Sequence, residues 1–432
     1  MNEPRIPAVV SRRQFLSMLG LTGAITVAPS VLLGDAADAA DAAIRKRRSS
    51  SVGRAATPSP SAAGKPVAGS RALVVVELLG GNDGFSMLVP SGDARLRQLR
   101  DRAWLETKDM DRYDDRYSIA KGLAPLASQL AFVEGVGVGR PDLSHSAMQA
   151  RWWQGDPDGS APQRTGFLGR CCDVIGADVA IAGATIGGGS TPALISVRAP
   201  TVALPDIDSL RELTKDDDER MRPTLARLTD GGTEISGLEV ADGDLMARAR
   251  VGLSSALTLV GALGGVDGKA AGYPTDNHLA SSLSLVRELV ALNTGIRVFH
   301  IPWGNFDTHT GQQWSHPEHM RQLGAALVAF HNDLNRTGLA QRVLVATTSE
   351  FGRRPEANAG GTDHGTASTM ALMGPIRAGR HGAPVDFTQL DRSGNVAATV
   401  SMSDYYATLA RWLGIPDGAA ITGGTVLGSL GI

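Results

Sequence analysis

The sequence predicts an α/β fold in which a doubly wound, mostly parallel sheet carries helices on both faces. Four apolar runs have the length of a strand, stretches of helical periodicity lie between them, and glycine is frequent, with 52 in 432 residues. Strands that alternate with helices are typical of a parallel sheet. The predicted strands cover residues 72–79, 131–138, 296–301 and 342–349, and the predicted helices cover 144–154, 279–292, 317–336 and 403–413.

The strands are justified by their apolar runs and by what ends each of them. The first run, Ala72–Leu79, is continuous and stops sharply at the turn Gly80–Gly84. A continuous run, in place of alternation, indicates a strand buried on both faces. The second run ends before Asp142, the third ends at a Pro-Trp-Gly turn, and the fourth runs directly into Glu350.

The N-terminal part of the chain predicts an export signal. Residues 1–43 have the charged, apolar and small-residue order of a signal peptide. Arg12 and Arg13, followed by Gln-Phe-Leu, resemble a twin-arginine signal. The apolar stretch of 16 residues is shorter than the roughly 20 that a spanning helix needs, so export is predicted in preference to a retained anchor. Residues 44–70 are rich in Ser, Ala, Pro and Arg and predict a flexible linker before an α/β domain at 71–432.

Charge and cysteine usage exclude several classes of protein. Residues 1–71 hold ten Lys and Arg against four Asp and Glu, which leaves 32 basic and 40 acidic residues in the remainder. This excess of acidic residues after position 71 argues against nucleic-acid binding. No later run reaches 18 apolar residues, so no stable membrane span is expected in the mature form.

The only cysteines, Cys171 and Cys172, are adjacent and predicted to pack in a helix without pairing. A charge run and an Ala/Leu/Gly-rich stretch predict a helical insertion at about 205–270.

Polar side chains follow the predicted strands, where ligands bind in open parallel sheets. Carboxylates and imidazoles are ligands of divalent metals, and several acids that meet without a cation would repel one another. The alternative is that these loops are unrelated surface turns. The sequence therefore predicts a site for Zn²⁺, Mn²⁺, Mg²⁺ or Ca²⁺ with the ligands Asp83, Asp307, His309, Glu350, Asp363 and His364.

Five short motifs surround the candidate site residues. They are Gly80–Gly84, Ser144-His145 with Gln149, Phe306–His309, Ser349–Arg353 and Gly361–Gly365. Together they resemble the domain-of-unknown-function 1501 family, whose members are exported bacterial proteins with twin-arginine signals. That family is similar in turn to the alkaline phosphatase and sulfatase superfamily, in which a doubly wound sheet holds one or two divalent metals. The resemblance implies an alkaline phosphatase-like fold and covers about residues 70–415.

The resemblance assigns roles to the same residues. Asp83 resembles the metal ligand after the first strand, and Asp307 with His309 resembles a pair that binds one metal. Glu350 resembles the carboxylate at a late strand end, and His364 resembles the final histidine ligand. The superfamily often has Asp-His where this chain has Glu-Phe, so a ligand for a second metal is missing. Asp363 and His145 are the residues that could replace it.

The attacking group is predicted to be Ser144, at the start of a helix. The helix dipole and free amides stabilise an anion there, and a nearby metal would activate the hydroxyl. The alternative is that Ser144 only caps the helix. Arg353 is predicted either to bind an anionic substrate bidentately or to pair with a neighbouring acid.

Two functions of different class follow. The first is an exported metal-dependent hydrolase that acts on small anionic phosphate or sulfate esters. The second is a catalytically degenerate relative that acts as a binding or envelope-assembly protein. Both would use the twin-arginine machinery and end in the periplasm, the cell envelope or the medium.

Overall fold

The computed structural model describes residues 70–100, 108–159, 165–176, 179, 181–204, 272–416 and 419–432. The predicted signal peptide, the linker apart from Ser70, and the predicted insertion at 205–270 lie outside the described residues. Among the helices of the described part, none is long and apolar enough to cross a membrane.

The described residues form fourteen strands and eight α-helices. The strands are β1 Ala72–Leu78, β2 Leu88–Val89, β3 Met110–Arg112, β4 Ser118–Ala120, β5 Leu130–Gly137, β6 Gly183–Ile186, β7 Thr201–Leu204, β8 Val298–Trp303, β9 Val343–Thr348, β10 Gly352–Ala357, β11 Thr362–Gly365, β12 Ala367–Met373, β13 Gly379–His381 and β14 Val400–Ser401. The helices are α1 Gly84–Met87, α2 Ala94–Leu99, α3 His145–Gln154, α4 Phe167–Ile175, α5 His278–Ala291, α6 Gln312–Arg336, α7 Met402–Trp412 and α8 Ala419–Thr422. Short 3₁₀ helices lie at Lys121–Leu126, Pro192–Leu194 and Gly428–Leu430.

Nine strands make one central sheet, in the order β13-β5-β12-β9-β1-β8-β6-β7, with β14 beside β5. Strand β1 pairs in parallel with both β8 and β9, and β6 pairs in parallel with β7 and β8. Only β12 among these described strands runs against its neighbours, β5 and β9. The prediction of a mostly parallel sheet is therefore confirmed. Two smaller antiparallel sheets, β10-β11 and β2-β4-β3, complete the strand pairing.

Helices cover both faces of the sheet, and the side chains of β1 alternate between them. Val74 and Val76 pack in the hydrophobic core that contains residues of α5 and α6. Leu73 and Val75 pack in the core on the other face, with residues of α3, α4 and α7. The doubly wound prediction is confirmed by this division. As predicted, the two cysteines are unpaired and buried within α4.

The four predicted strands and four predicted helices all form, with shifted ends. Strand β8 begins two residues later than predicted and extends to Trp303, which pairs with Leu78 of β1. Helix α6 begins at Gln312, five residues before the predicted start at Pro317. The buried side chain of Gln312 bonds to Asp83 and accepts from Thr308. These tertiary contacts fix the first turn.

Next to the first strand, a fully buried ion pair joins Asp83 and Arg100. The two guanidinium nitrogens of Arg100 lie 2.6 and 3.0 Å from the two carboxylate oxygens of Asp83. Ser86 also donates to Asp83, at 2.6 Å, and both charged side chains have no solvent exposure. Burial alone would raise the pKa of Asp83, but the neighbouring Arg100 guanidinium lowers it to about 2.

Replacing Asp83 tests the weight of this ion pair. In Asp83→Asn, Arg100 stays buried without its counter-charge, so the free energy of unfolding in urea at pH 7 should fall by about 3–5 kcal/mol. Because the folded-state pKa lies below the unfolded value of about 3.9, the wild-type carboxylate stabilises the fold above pH 4. That contribution should disappear between pH 4 and pH 2, so the difference between variant and wild type should shrink there.

Asp93→Asn is the matched control, because Asp93 caps α2 through Leu96 and asparagine caps a helix equally well. Its unfolding free energy should change by less than about 0.5 kcal/mol. Equal losses in the two variants would contradict the importance of the buried pair.

Candidate functional site

The loops that leave the carboxyl ends of β1, β5, β8 and β9 meet at one edge of the central sheet. The loop after β5 leads to His145, the first residue of α3, and the loop after β8 supplies Asp307 and His309. Glu350 lies two residues beyond β9, and His364 lies on β11. Parallel strands place all these ends on the same edge, which is where the sequence predicted a site.

Asp307 is the centre of the cluster, and each of its oxygens faces a different set of groups. Its Oδ1 lies 3.1 Å from Nε2 of His309 and 3.2 Å from Nε2 of His364. Its Oδ2 lies 3.4 Å from Nε2 of His145. His145, Asp307 and His364 each contribute one potential ligand atom, and these three atoms lie within 4.8 Å of one another. The side chain of Asp307 is 37% exposed, so solvent reaches this point.

The opposite nitrogen of each ring faces an oxygen. Nδ1 of His145 lies 3.0 Å from Oε1 of Glu350, and Nδ1 of His309 lies 3.4 Å from a carboxylate oxygen of Asp363. Nδ1 of His364 lies 2.7 Å from the carbonyl oxygen of Leu143. All three rings therefore present Nε2 toward Asp307 and are oriented from behind. This pattern is typical of histidines that bind a metal.

Glu350 is buried, and its carboxylate contacts both the turn after β1 and the ring of His145. Its Oε1 accepts from the backbone N–H of Gly80 at 2.8 Å and faces His145. Its Oε2 is buried and has no hydrogen-bond partner among the described residues. A buried carboxylate oxygen without a partner is costly unless a cation is close.

Arg353 lies beneath the cluster and has no solvent exposure. Its guanidinium donates to the carbonyl oxygens of Gly80, Gly81, Phe306 and Thr362, and to Oδ1 of Asp307 at 2.8 Å. The expectation that Arg353 binds an anionic substrate is therefore corrected, because its donors are engaged by protein oxygens. The alternative prediction, a pair with a neighbouring acid, is the arrangement found.

Gly80 is required where these loops cross. Its φ is +101°, and a Cβ atom there would lie 2.5 Å from the backbone nitrogen of Asp307. Only glycine permits both the left-handed backbone and so close an approach. The Gly-Gly-Asn-Asp-Gly motif thus allows the loop after β8 to pack closely against the end of β1.

Two predicted ligands, Asp83 and Asp363, do not face the point where the Nε2 atoms meet. Asp83 is corrected: its oxygens already accept from Arg100 and Ser86, inside the protein and away from solvent. Asp363 lies at the edge of the cluster, half exposed, where it contacts His309 and lies 3.5 Å from Arg354. Its carboxylate faces the Nδ1 side of the His309 ring and not the point where the Nε2 atoms meet.

Ser144 lies between two contributors to the site, Leu143 and His145. Its side chain is exposed and makes no capping hydrogen bond with α3. The alternative that this side chain serves as a helix cap is not the arrangement found. Ser144 is nevertheless the N-cap residue of α3. Its hydroxyl therefore lies at the helix N-terminus and accepts no hydrogen bond from the backbone amides of the first turn.

Burial and hydrogen bonding shift the pKa values of Asp307 and His364. Burial alone would raise the pKa of Asp307, but the Arg353 guanidinium, which donates to its Oδ1, lowers it to about 2. Burial lowers the pKa of His364 below its ordinary value. Asp307 is therefore ionised near neutral pH.

The arrangement fits a divalent cation. The Nε2 atoms of His309 and His364 are 2.9 Å apart, and both lie beside the ionised Asp307. Two ring nitrogens and a carboxylate oxygen at this separation repel one another unless a proton or a cation lies among them. The residues present are therefore suited to hold a metal.

Sequence reasoning named His145 only as a possible replacement ligand, and it missed the role of the Leu143 carbonyl. A signal for His145 was present, because Ser144-His145 follows a strand and begins a helix, as the other loops of the site follow strands. The Leu143 contact involves a backbone atom, and side-chain identity carries no signal for it.

Comparison with known proteins supports the resemblance drawn from the motifs. Residues 268–425 match the family described as "Protein of unknown function (DUF1501)". This range contains Asp307, His309, Glu350, Arg353 and His364. No curated protein matches the chain significantly.

Three solved structures illustrate what the fold is similar to. One is Ps i-CgsB in complex with k-i-k-neocarrahexaose, with a TM-score of 0.41, 12% identity, and coverage of 83% of this chain and 75% of that chain. A protein in the alkaline phosphatase superfamily from Vibrio parahaemolyticus has a TM-score of 0.40 and 9% identity, covering 83% and 69%. The lipoteichoic acid synthase LtaP from Listeria monocytogenes has a TM-score of 0.37 and 9% identity, covering 86% and 78%. At these scores the likenesses support no inference about activity.

Proposed function

We propose that this chain is an exported, metal-dependent hydrolase of phosphate or sulfate esters. The observation that carries the proposal is the convergence of three imidazole rings on the ionised Asp307 at the carboxyl edge of the sheet. The cluster is open to solvent, and its side chains are held from behind by hydrogen bonds. A solvent-accessible, pre-oriented group of metal-binding side chains is what hydrolytic metal chemistry requires.

In the proposed mechanism some residues of the site hold the metal and others orient them. Asp307 and the three histidines would hold the metal, which when bound supplies positive charge beside the tetrahedral anionic group of an ester. Arg353 fixes the carboxylate of Asp307 from below, and Glu350 and the Leu143 carbonyl fix the rings of His145 and His364. Rings that are already oriented lose little entropy when they bind.

Ser144 is the proposed attacking group. Its hydroxyl would form a bond from Oγ to phosphorus or sulfur as it loses its proton, while the bond to the ester oxygen breaks and the leaving alcohol takes up a proton. Water then attacks the same phosphorus or sulfur atom, which releases phosphate or sulfate and restores the serine. The free amides at the N-terminus of α3 favour an anion beside Ser144.

Turnover of aryl phosphates and aryl sulfates tests the proposal. With Zn²⁺, Mn²⁺, Mg²⁺ or Ca²⁺ supplied in turn, the purified protein should hydrolyse at least one of these esters, and a chelator should stop the reaction. Ser144→Ala should lower kcat at least ~10³-fold. Because the side chain makes no capping bond, the unfolding free energy should change by less than about 0.5 kcal/mol.

Ser146→Ala is the matched control, since Ser146 is also exposed and lies in the same first turn of α3. It should keep wild-type turnover. Activity that survives in Ser144→Ala and is lost in Ser146→Ala would move the attacking role to Ser146. Absence of turnover with every ion and both ester types would contradict the hydrolase and favour the binding or envelope-assembly alternative.

Export is a separate part of the proposal and is supported by the sequence alone. Arg12 and Arg13 lie outside the described residues, before a short apolar stretch. Arg12→Lys with Arg13→Lys should hold the protein in the cytoplasm, as measured by cell fractionation. Arg45→Lys with Arg47→Lys, in the predicted linker, should leave export unchanged. Export of the first double variant at the wild-type level would exclude the twin-arginine route.

A further inference from the structure

We infer that the cation site consists of three imidazoles and one carboxylate, from His145, His309, His364 and Asp307, and that it selects a zinc-type ion over Ca²⁺ and Mg²⁺. In this site Glu350 and Asp363 orient rings and are not ligands. The inference deepens the proposed function and rests on it only in placing a cation at this edge of the sheet.

The hydrogen bonds to the Nδ1 atoms decide which nitrogen of each ring can bind. A carbonyl oxygen can only accept, so the Leu143 contact requires that Nδ1 of His364 carries the proton. In the neutral ring, Nε2 of His364 then has a free lone pair. Glu350 and Asp363 place carboxylate oxygens in the same position behind His145 and His309, and favour the same tautomer.

All three free lone pairs then lie on the Asp307 side. Nε2 of His309 and Nε2 of His364 are 2.9 Å from each other, with Oδ1 of Asp307 about as close to both. Nε2 of His145 approaches the other oxygen of Asp307. One ligand atom from each of His145, Asp307 and His364 lies within 4.8 Å of the other two, and Nε2 of His309 lies beside two members of this group. These donors, three of them nitrogen, form the donor set of the proposed metal site and have no hydrogen atom to share if each Nδ1 is protonated.

The donor set selects the ion. Imidazole nitrogen suits Zn²⁺ and similar transition metals, whereas Ca²⁺ and Mg²⁺ prefer oxygen ligands in larger number. Asp307 offers the carboxylate of the set, and one of its oxygens is already shared with Arg353. The carboxylate of Glu350 faces Nδ1 of His145 through Oε1, and a carboxylate in that position strengthens the ring as a ligand.

Metal binding by the apoprotein tests the inference without using activity. The chain is stripped with a chelator and dialysed against equal concentrations of Zn²⁺, Co²⁺, Ca²⁺ or Mg²⁺, and bound metal and melting temperature are measured. We expect one equivalent of Zn²⁺ or Co²⁺ with a higher melting temperature, and no bound Ca²⁺ or Mg²⁺. The Co²⁺ form should show the intense visible absorption of a four-coordinate nitrogen and oxygen site.

Two variants separate ligands from orienting residues. His364→Ala removes a proposed ligand and should abolish Zn²⁺ binding, while Glu350→Gln keeps an oxygen that can accept from His145 and should weaken binding by about 10–100-fold. His331→Ala, on α6, is the control histidine and should bind as the wild type does. Circular dichroism of each metal-free variant checks that it is folded.

Several results would overturn the inference. They are Ca²⁺ bound as tightly as Zn²⁺, no metal bound at all, or a Glu350→Gln variant as defective as His364→Ala. Ester turnover that requires Ca²⁺ and ignores Zn²⁺ would also overturn it and would leave the hydrolase proposal standing. Zn²⁺ binding as expected with no ester turnover would instead contradict the hydrolase and keep the site.

Discussion

The buried guanidinium of Arg353 is the interaction on which the geometry of the site depends. It donates to backbone carbonyls of the turn after β1, the loop after β8 and the start of β11, and it pairs with Asp307. A buried charge is tolerated only when its donors are satisfied, and each hydrogen bond to a charged group stabilises by about 1.5–3 kcal/mol. One side chain thus fixes three loops that are distant in sequence.

The same contacts that hold the loops also prepare the chemistry. Arg353 keeps Asp307 ionised, and the ionised carboxylate faces the ring of His364, whose pKa is lowered by burial. Negative charge and nitrogen lone pairs are thereby concentrated at a solvent-facing point, while the positive charge of the guanidinium stays beneath it. The buried guanidinium of Arg353 therefore has a structural role. In the proposed hydrolase, the positive charge that attracts an anionic ester would come from the bound cation.

The sequence predicted the sheet well because its central strands are continuous apolar runs, whose burial is a local property. It predicted no strand where β10 and β11 form, since their polar residues pair with each other and not with an apolar core. The roles of the charged residues were harder to predict. Glu350 meets Gly80 across 270 positions and His145 across 205, and no local pattern reports such pairs. The motif residues Asp307, His309, Glu350 and His364 lie together at one edge of the sheet, but only tertiary contacts distinguish the proposed ligands from the residues that orient them.

The affinity of the apoprotein for Zn²⁺ in Arg353→Lys, measured by titration beside the wild type, tests the account most directly. Lysine keeps the charge but cannot make the forked contacts of a guanidinium, so the loops should separate and the affinity should fall at least ~10-fold in a variant that still folds. Arg354→Lys, the partly exposed neighbour, should bind Zn²⁺ as the wild type does. Equal affinity in Arg353→Lys and wild type would contradict the claim that this guanidinium assembles the site.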